Sequence, residues 1–201
     1  MTHTYQDFSA EHASKDVKGL FRVRIYNLSP NDAVEEQEHI SRAARREYEI
    51  CQELNHDAIV QVQAITDHEL GPALVFRHDP EAVRFDHFLH ERAGTLSIEH
   101  KLSLIRQLAE AVKYAHGKHI IHRALCPQSI MVRDRNGEPE LKIFNWMAGD
   151  HDHTTAGSTR TCTLHPDQLV DDESMVYLSP EAVYEPTNHG RHFDVFSLGA
   201  I

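Results

Sequence analysis

Apolar and polar positions alternate along GLFRVRIY, residues 19–26, with Val23 and Ile25 on one side and Arg22 and Arg24 on the other, the two-residue period of a strand. NLSPND (27–32) is a turn, and after it the period changes. Between Ala33 and Leu54 the residues Ile40, Ala43, Ala44, Glu47, Ile50, Cys51 and Leu54 recur at steps of three and four, in a stretch with no Gly or Pro. That is the single stripe of an amphipathic helix. Glu47 interrupts the stripe, and a carboxylate on an apolar face needs a partner. AIVQVQAIT (58–66) and PALVFRH (72–78) predict two strands joined by a polar turn ending in Gly71-Pro72. A short helix is expected over 85–92. A long one is expected over 98–119, with Ser97 as its N-cap and a stripe of Leu102, Ile105, Leu108, Ala109, Val112 and Ala115. IMVRD and LKIFNW then flank Asn136-Gly137, a hairpin signal. Residues 148–173 are polar and long for a connection. FDVFSLGAI (193–201) begins an apolar helix at the end of the sequence. Strand, helix, two strands, then mostly helix with a hairpin is an α+β pattern.

Composition narrows the function classes. At 40% apolar and 25% charged residues the chain is of ordinary globular type. Its net charge of −11 argues against nucleic acid or an anionic membrane as a partner. No apolar run approaches the roughly 18 residues of a membrane span, and MTHTYQDFSAEH has neither the basic nor the apolar region of a signal peptide. Cys51, Cys126 and Cys162 are scattered and odd in number, which fits a reducing, cytoplasmic setting without disulfides. The 17 histidines read as solvated surface groups that gain charge as pH falls from about 7 to 5.5.

Several short stretches fall in a recognisable order. They are YEICQELNHDAIVQV (48–62), FDHFLHE (85–91), AHGKHIIHRALCPQSI (115–130), LKIFNW (141–146), Ser179-Pro180-Glu181 and FDVFSLGAI. Together they resemble the protein-kinase family over about residues 8–201. The resemblance implies a bilobal fold, with a β-rich lobe over 1–78 and a partial helical lobe over 79–201. It also implies that the chain starts at or after the Gly-rich phosphate loop, since Gly19 is the only glycine before Arg24.

Set against the family's catalytic parts, the charged positions have changed. The loop H-R-D-L-x-x-x-N reads His122, Arg123, Ala124, Leu125 and, at the Asn position, Ser129. A methyl group at Ala124 cannot orient a hydroxyl proton. The D-F-G motif reads Asn145-Trp146-Met147, so the main Mg²⁺ carboxylate is missing. The V-A-I-K lysine is Arg24, a planar fork rather than a point charge. Two residues earlier, where the family has a small Ala against adenine, stands Arg22. Glu47 matches the helix Glu and would pair with Arg24. If nucleotide binds, the implied contacts are Arg24, Glu47, Phe76, Met131 and Asn145.

The apolar landmarks remain. The family's internal stack maps onto Cys51, Val62, His122 and Trp146, with Asp194 as its anchor, and the resemblance implies structural roles for Arg123 and Glu181 as well. Retained packing with altered charge implies a pseudokinase, a binding or regulatory module for a protein partner or for the rest of a longer chain. A divergent serine/threonine kinase using ATP and Mg²⁺ is the alternative, and a non-functional fragment is the second. His151-x-His153 with Cys162-x-x-His165 is too loosely spaced to argue for zinc, so no metal site is assigned. Cys126 lacks a nucleophile's surroundings. Thr154, Thr155, Ser158, Thr159, Thr161, Thr163 and Ser174 are hydroxyls open to phosphorylation.

Overall fold

The alternating arginine strand lies inside an antiparallel sheet. The computed structural model describes residues 5–11, 19–151, 174–184 and 190–201. Its first part holds β1 (Tyr5–Glu11), β2 (Leu20–Tyr26), α1 (Val34–Glu53), β3 (Val62–His68) and β4 (Gly71–His78), with sheet order β1-β2-β4-β3. β1 was not expected from the sequence. Its YQDFSAE carries only two aromatic residues among polar ones, and its strand character comes from full antiparallel pairing with β2.

The strand expected over 58–66 begins later, at Val62. Residues 58–60 instead dock on the second part: the Ile143 N–H donates to the Ala58 carbonyl and the Val60 N–H to the Ile143 carbonyl, both at 2.9 Å. At the β3–β4 turn Gly71 has φ +138°, and a Cβ there would stand 2.1 Å from the Tyr26 carbonyl oxygen, so the turn requires glycine.

The second part holds β5 (Val83–Arg84), α2 (Phe85–Arg92), α3 (Ile98–Gly117), β6 (Ile120–Ile121), β7 (Ile130–Arg135), β8 (Glu138–Ile143), β9 (Asp150–His151), α4 (Pro180–Tyr184) and α5 (His192–Ala200). Two small sheets, β5-β7-β8 and β6-β9, sit among the helices. Asn136 and Gly137, at φ 57° and 90°, form the hairpin turn between β7 and β8. Ser97 Oγ accepts a hydrogen bond from the His100 N–H and caps α3.

The predicted stripe of α3 needs correction. The helix buries Leu104, Leu108, Ala111, Val112, Ala115 and His116, while Leu102 and Ile105 are 57% and 59% exposed. The buried face is the one turned toward β8 and β6, about one position out of phase with the reading that began at Leu102. One apolar core runs from Tyr26, Ile50 and Leu74 through Leu108, Ile130 and Val132 to Trp146. The whole is the α+β fold expected, and among the described residues no helix is long and apolar enough to cross a membrane.

Candidate functional site

Arg24 is the centre of the cleft between the four-stranded sheet and the loop following β8. It is 1% exposed and Glu47, reaching from α1, is 0% exposed. Arg24 Nη1 donates to Glu47 Oε1 at 3.0 Å and Oε2 at 3.2 Å, and to Asn145 Oδ1 at 2.7 Å. The third partner comes from β1, where Asp7 is the cross-strand neighbour of Arg24. Nε and Nη2 donate to the two Asp7 carboxylate oxygens at 3.0 and 3.2 Å, a bidentate fork. The Tyr5 ring lies 4.0 Å from the guanidinium carbon, and the Tyr26 hydroxyl donates to Glu47 Oε2. Burial alone would weaken Arg24 as a cation, but Glu47, Tyr5 and Asp7 hold its pKa well above the ordinary arginine value. Every nitrogen of the guanidinium is therefore committed to the protein itself.

Arg22 lies two residues away on the same strand. Its guanidinium stands 5.3 Å from the centre of the Phe144 ring, and its cross-strand neighbours are Ser9 and Phe76. Among the described residues it makes no hydrogen bond or ion pair. Burial lowers its pKa, against an opposing pull from Asp7. Phe76 and Met131, both expected to line a nucleotide pocket, are buried side chains of β4 and β7.

The loop 122–129 is held from below. Asp194 of α5 accepts from the His122 N–H through Oδ2 and from the Arg123 N–H through Oδ1, both at 2.8 Å. His116 Nε2 lies 2.9 Å from the same Oδ2. Arg123 sits at φ 67° and reaches the Ala148 carbonyl through Nη1 at 3.2 Å. Ala124 is buried with Ala148 and Leu178, so an apolar cluster fills the position where a base would act. Ser129 is turned inward. Its Oγ donates to the Cys126 carbonyl at 2.8 Å and accepts from the Cys126 N–H at 3.0 Å, closing the loop rather than facing the cleft.

Asn145 is left-handed, at φ 63° and ψ 55°, which Asn tolerates better than most residues. Next to it Trp146 is buried, its ring centre 4.6 Å from that of His122. Cys51 and Trp146 share one core, and Val62 packs against it half-buried. His122 Nε2 donates to the Phe144 carbonyl at 3.0 Å, while Nδ1 has no partner. Burial lowers the pKa of His122 despite the Asp194 charge.

Other predicted residues fall elsewhere. Glu181 is exposed on α4 and forms no ion pair among the described residues. Ser174 is buried. His151 faces Glu53 at 3.2 Å. His153, Cys162, His165 and the hydroxyls from Thr154 to Thr163 lie outside the described residues. The sequence reading missed Asp7, Tyr5, Tyr26 and Phe144. The signal for the first two was the alternation of Tyr5, Asp7 and Ser9 along one face of β1.

Among the described residues the two carboxylates in the cleft, Asp7 and Glu47, both serve Arg24. Neither the loop position at Ala124 nor the position at Asn145 supplies a third. With Ser129 facing inward, this donor set does not fit a Mg²⁺–nucleotide complex.

The protein kinase domain family model matches residues 22–201. The chain is 30% identical over 226 residues to the probable kinase PglW of Streptomyces coelicolor, covering 98% of this chain and 14% of that protein. It is 30% identical over 194 residues to an Aurora kinase of Schizosaccharomyces pombe, covering 96% of this chain and 49% of that one. Similarity to the serine/threonine-protein kinase Aurora-2 of Arabidopsis thaliana is 26% over 167 residues, 83% of this chain and 52% of the relative. The chain thus spans about half or less of the length of these relatives.

Proposed function

The chain belongs to the protein kinase domain family, and from that premise we propose that it is a pseudokinase. It performs little or no phosphoryl transfer and serves as a cytoplasmic binding and regulatory module for a protein partner or for the remainder of a longer chain. One observation carries this reading: Arg24, at the phosphate-binding position, has every guanidinium nitrogen hydrogen-bonded to Asp7, Glu47 or Asn145. Phosphoryl transfer is positioning plus charge stabilisation around a metal-bound phosphate. Here the cation that would stabilise that charge is already satisfied, and an alanine stands in the base position.

The test is phosphate incorporation from Mg·ATP into the chain and into a generic protein substrate. No incorporation above that of an Arg24→Met variant is expected. Robust transfer that disappears on Arg24→Met or Asn145→Ala would overturn the proposal.

The intact Arg24–Glu47 pair favours one other reading, a divergent serine/threonine kinase working by positioning alone. Substituting Ala124→Asp together with Asn145→Asp separates the two. A large gain of activity would mean that the fold needs only its missing carboxylates.

A further inference from the structure

Arg22 is a cation without a directly bonded counter-ion among the described residues. It is half-buried beside Phe144, and no carboxylate or carbonyl among the described residues bonds to it. The nearby acid, Asp7, turns both oxygens to Arg24 and acts on Arg22 only through space. Among the described residues the charged groups of the cleft are Arg22, Arg24, Asp7 and Glu47, and both carboxylates bond to Arg24, which leaves Arg22 without a direct contact to either. A half-buried charge without a partner is costly, and a site that keeps one is prepared for the opposite charge.

We propose that the cleft is a receptor for a small oxyanion, a phosphate or carboxylate group held by the Arg22 fork against the Phe144 ring, within reach of the exposed Ser9 hydroxyl across the strand pair. The proposal rests on the pseudokinase reading, because it places an anion where a kinase would seat a neutral base. Guanidinium is the group best matched to such a ligand, since it binds oxyanions with two parallel hydrogen bonds while stacking on an aromatic face. The ligand is a small molecule rather than a peptide strand. β1 pairs along the whole of β2 on one side and β4 on the other, so no free strand edge is left beside Arg22. The chain's net charge of −11 repels anions at long range, so saturable anion binding must come from a local site.

Trp146 is the single tryptophan, buried against His122 and two residues from Phe144, so its fluorescence reports on the cleft. Pyrophosphate and citrate would be titrated without Mg²⁺ at constant ionic strength, with adenosine as the uncharged probe. Fluorescence and the thermal transition would be read together. A saturable response to pyrophosphate or citrate and none to adenosine is expected. Arg22→Ala should raise Kd about tenfold or more, the loss of one charge-assisted pair. Arg22→Lys should cost less, and Arg133→Ala, remote on β7, nothing. If Arg22→Ala does not fold, Arg22→Gln replaces it.

The inference is overturned if no anion produces a saturable response, if Kd is unchanged on replacing Arg22, or if adenosine competes with pyrophosphate. Turnover of Mg·ATP would instead sink the pseudokinase reading and leave the Arg22 dependence standing, so the two failures are distinct.

Discussion

Removing the Glu47 carboxylate tests the central arrangement directly. In Glu47→Ala the Arg24 charge stays at 1% exposure with only Asp7 and Asn145 as partners, and the Tyr26 hydroxyl loses its acceptor. Breaking a buried pair by deleting one member costs about 3–5 kcal/mol, because the survivor keeps its charge out of water. Asp7 still holds two guanidinium nitrogens, which places the expected loss at the lower end, about 3 kcal/mol. For a chain of this size that lowers the thermal midpoint by roughly 6–12 °C. The second arm is Arg24→Met with Glu47→Leu, in a Tyr26→Phe background so that no hydroxyl is stranded. Replacing the pair by apolar groups of similar volume frees the Asp7 carboxylate, itself partly exposed to water, so it should cost less than Glu47→Ala. Urea unfolding of the two single variants and the double closes the cycle, with an expected coupling of about 2 kcal/mol or more. A loss below about 1 kcal/mol in Glu47→Ala, or a double variant as unstable as the sum of the singles, would refute the reasoning. Either result would show that water reaches the Arg24 charge.

Lowering pH should destabilise the chain through His122. Its folded pKa is held below the ordinary value of 6.5 by burial, so between the two values the unfolded chain binds a proton that the folded chain refuses. Stability then falls as pH drops below about 6.5, by up to about 1.4 kcal/mol per pH unit, and His122→Phe should flatten this part of the urea-midpoint profile relative to the parent chain. Gly71→Ala, which drives a Cβ to 2.1 Å from the Tyr26 carbonyl oxygen, should cost at least about 2 kcal/mol in chemical denaturation; a loss under 0.5 kcal/mol on that roughly estimated scale would refute the tight turn. Ala124→Asp with Asn145→Asp should give no phosphotransfer, because Arg22 still covers Phe144 and Asp7 still holds Arg24. A large gain would show that the missing carboxylates were the whole deficit.

The local signals that were strong in the sequence describe the fold well. The helical stripe from Ile40 to Leu54, the Ser97 cap and the Asn136-Gly137 turn each rest on short-range chemistry that one segment carries by itself. Where partners at a distance decide, the pattern misled. Leu102 and Ile105 keep a helical period but lie off the face that β8 and β6 select. The Ala58–Val60 run looked like sheet and is docked on Ile143. β1 carried too little apolar signal to be seen at all, yet it brings Asp7 and Tyr5 to the site.

The cleft was legible mainly through its irregularities. Glu47 broke an apolar stripe, and Arg22 with Arg24 put two cations on one face of a strand. Sequence reasoning that finds a broken local rule has found a place where the chain gives up stability for something else. At Glu47 that something is internal, since Arg24 answers it. At Arg22 no answering group is present among the described residues, and that asymmetry between two neighbouring arginines directs the search for a ligand to Arg22 rather than to the lysine-like position beside it.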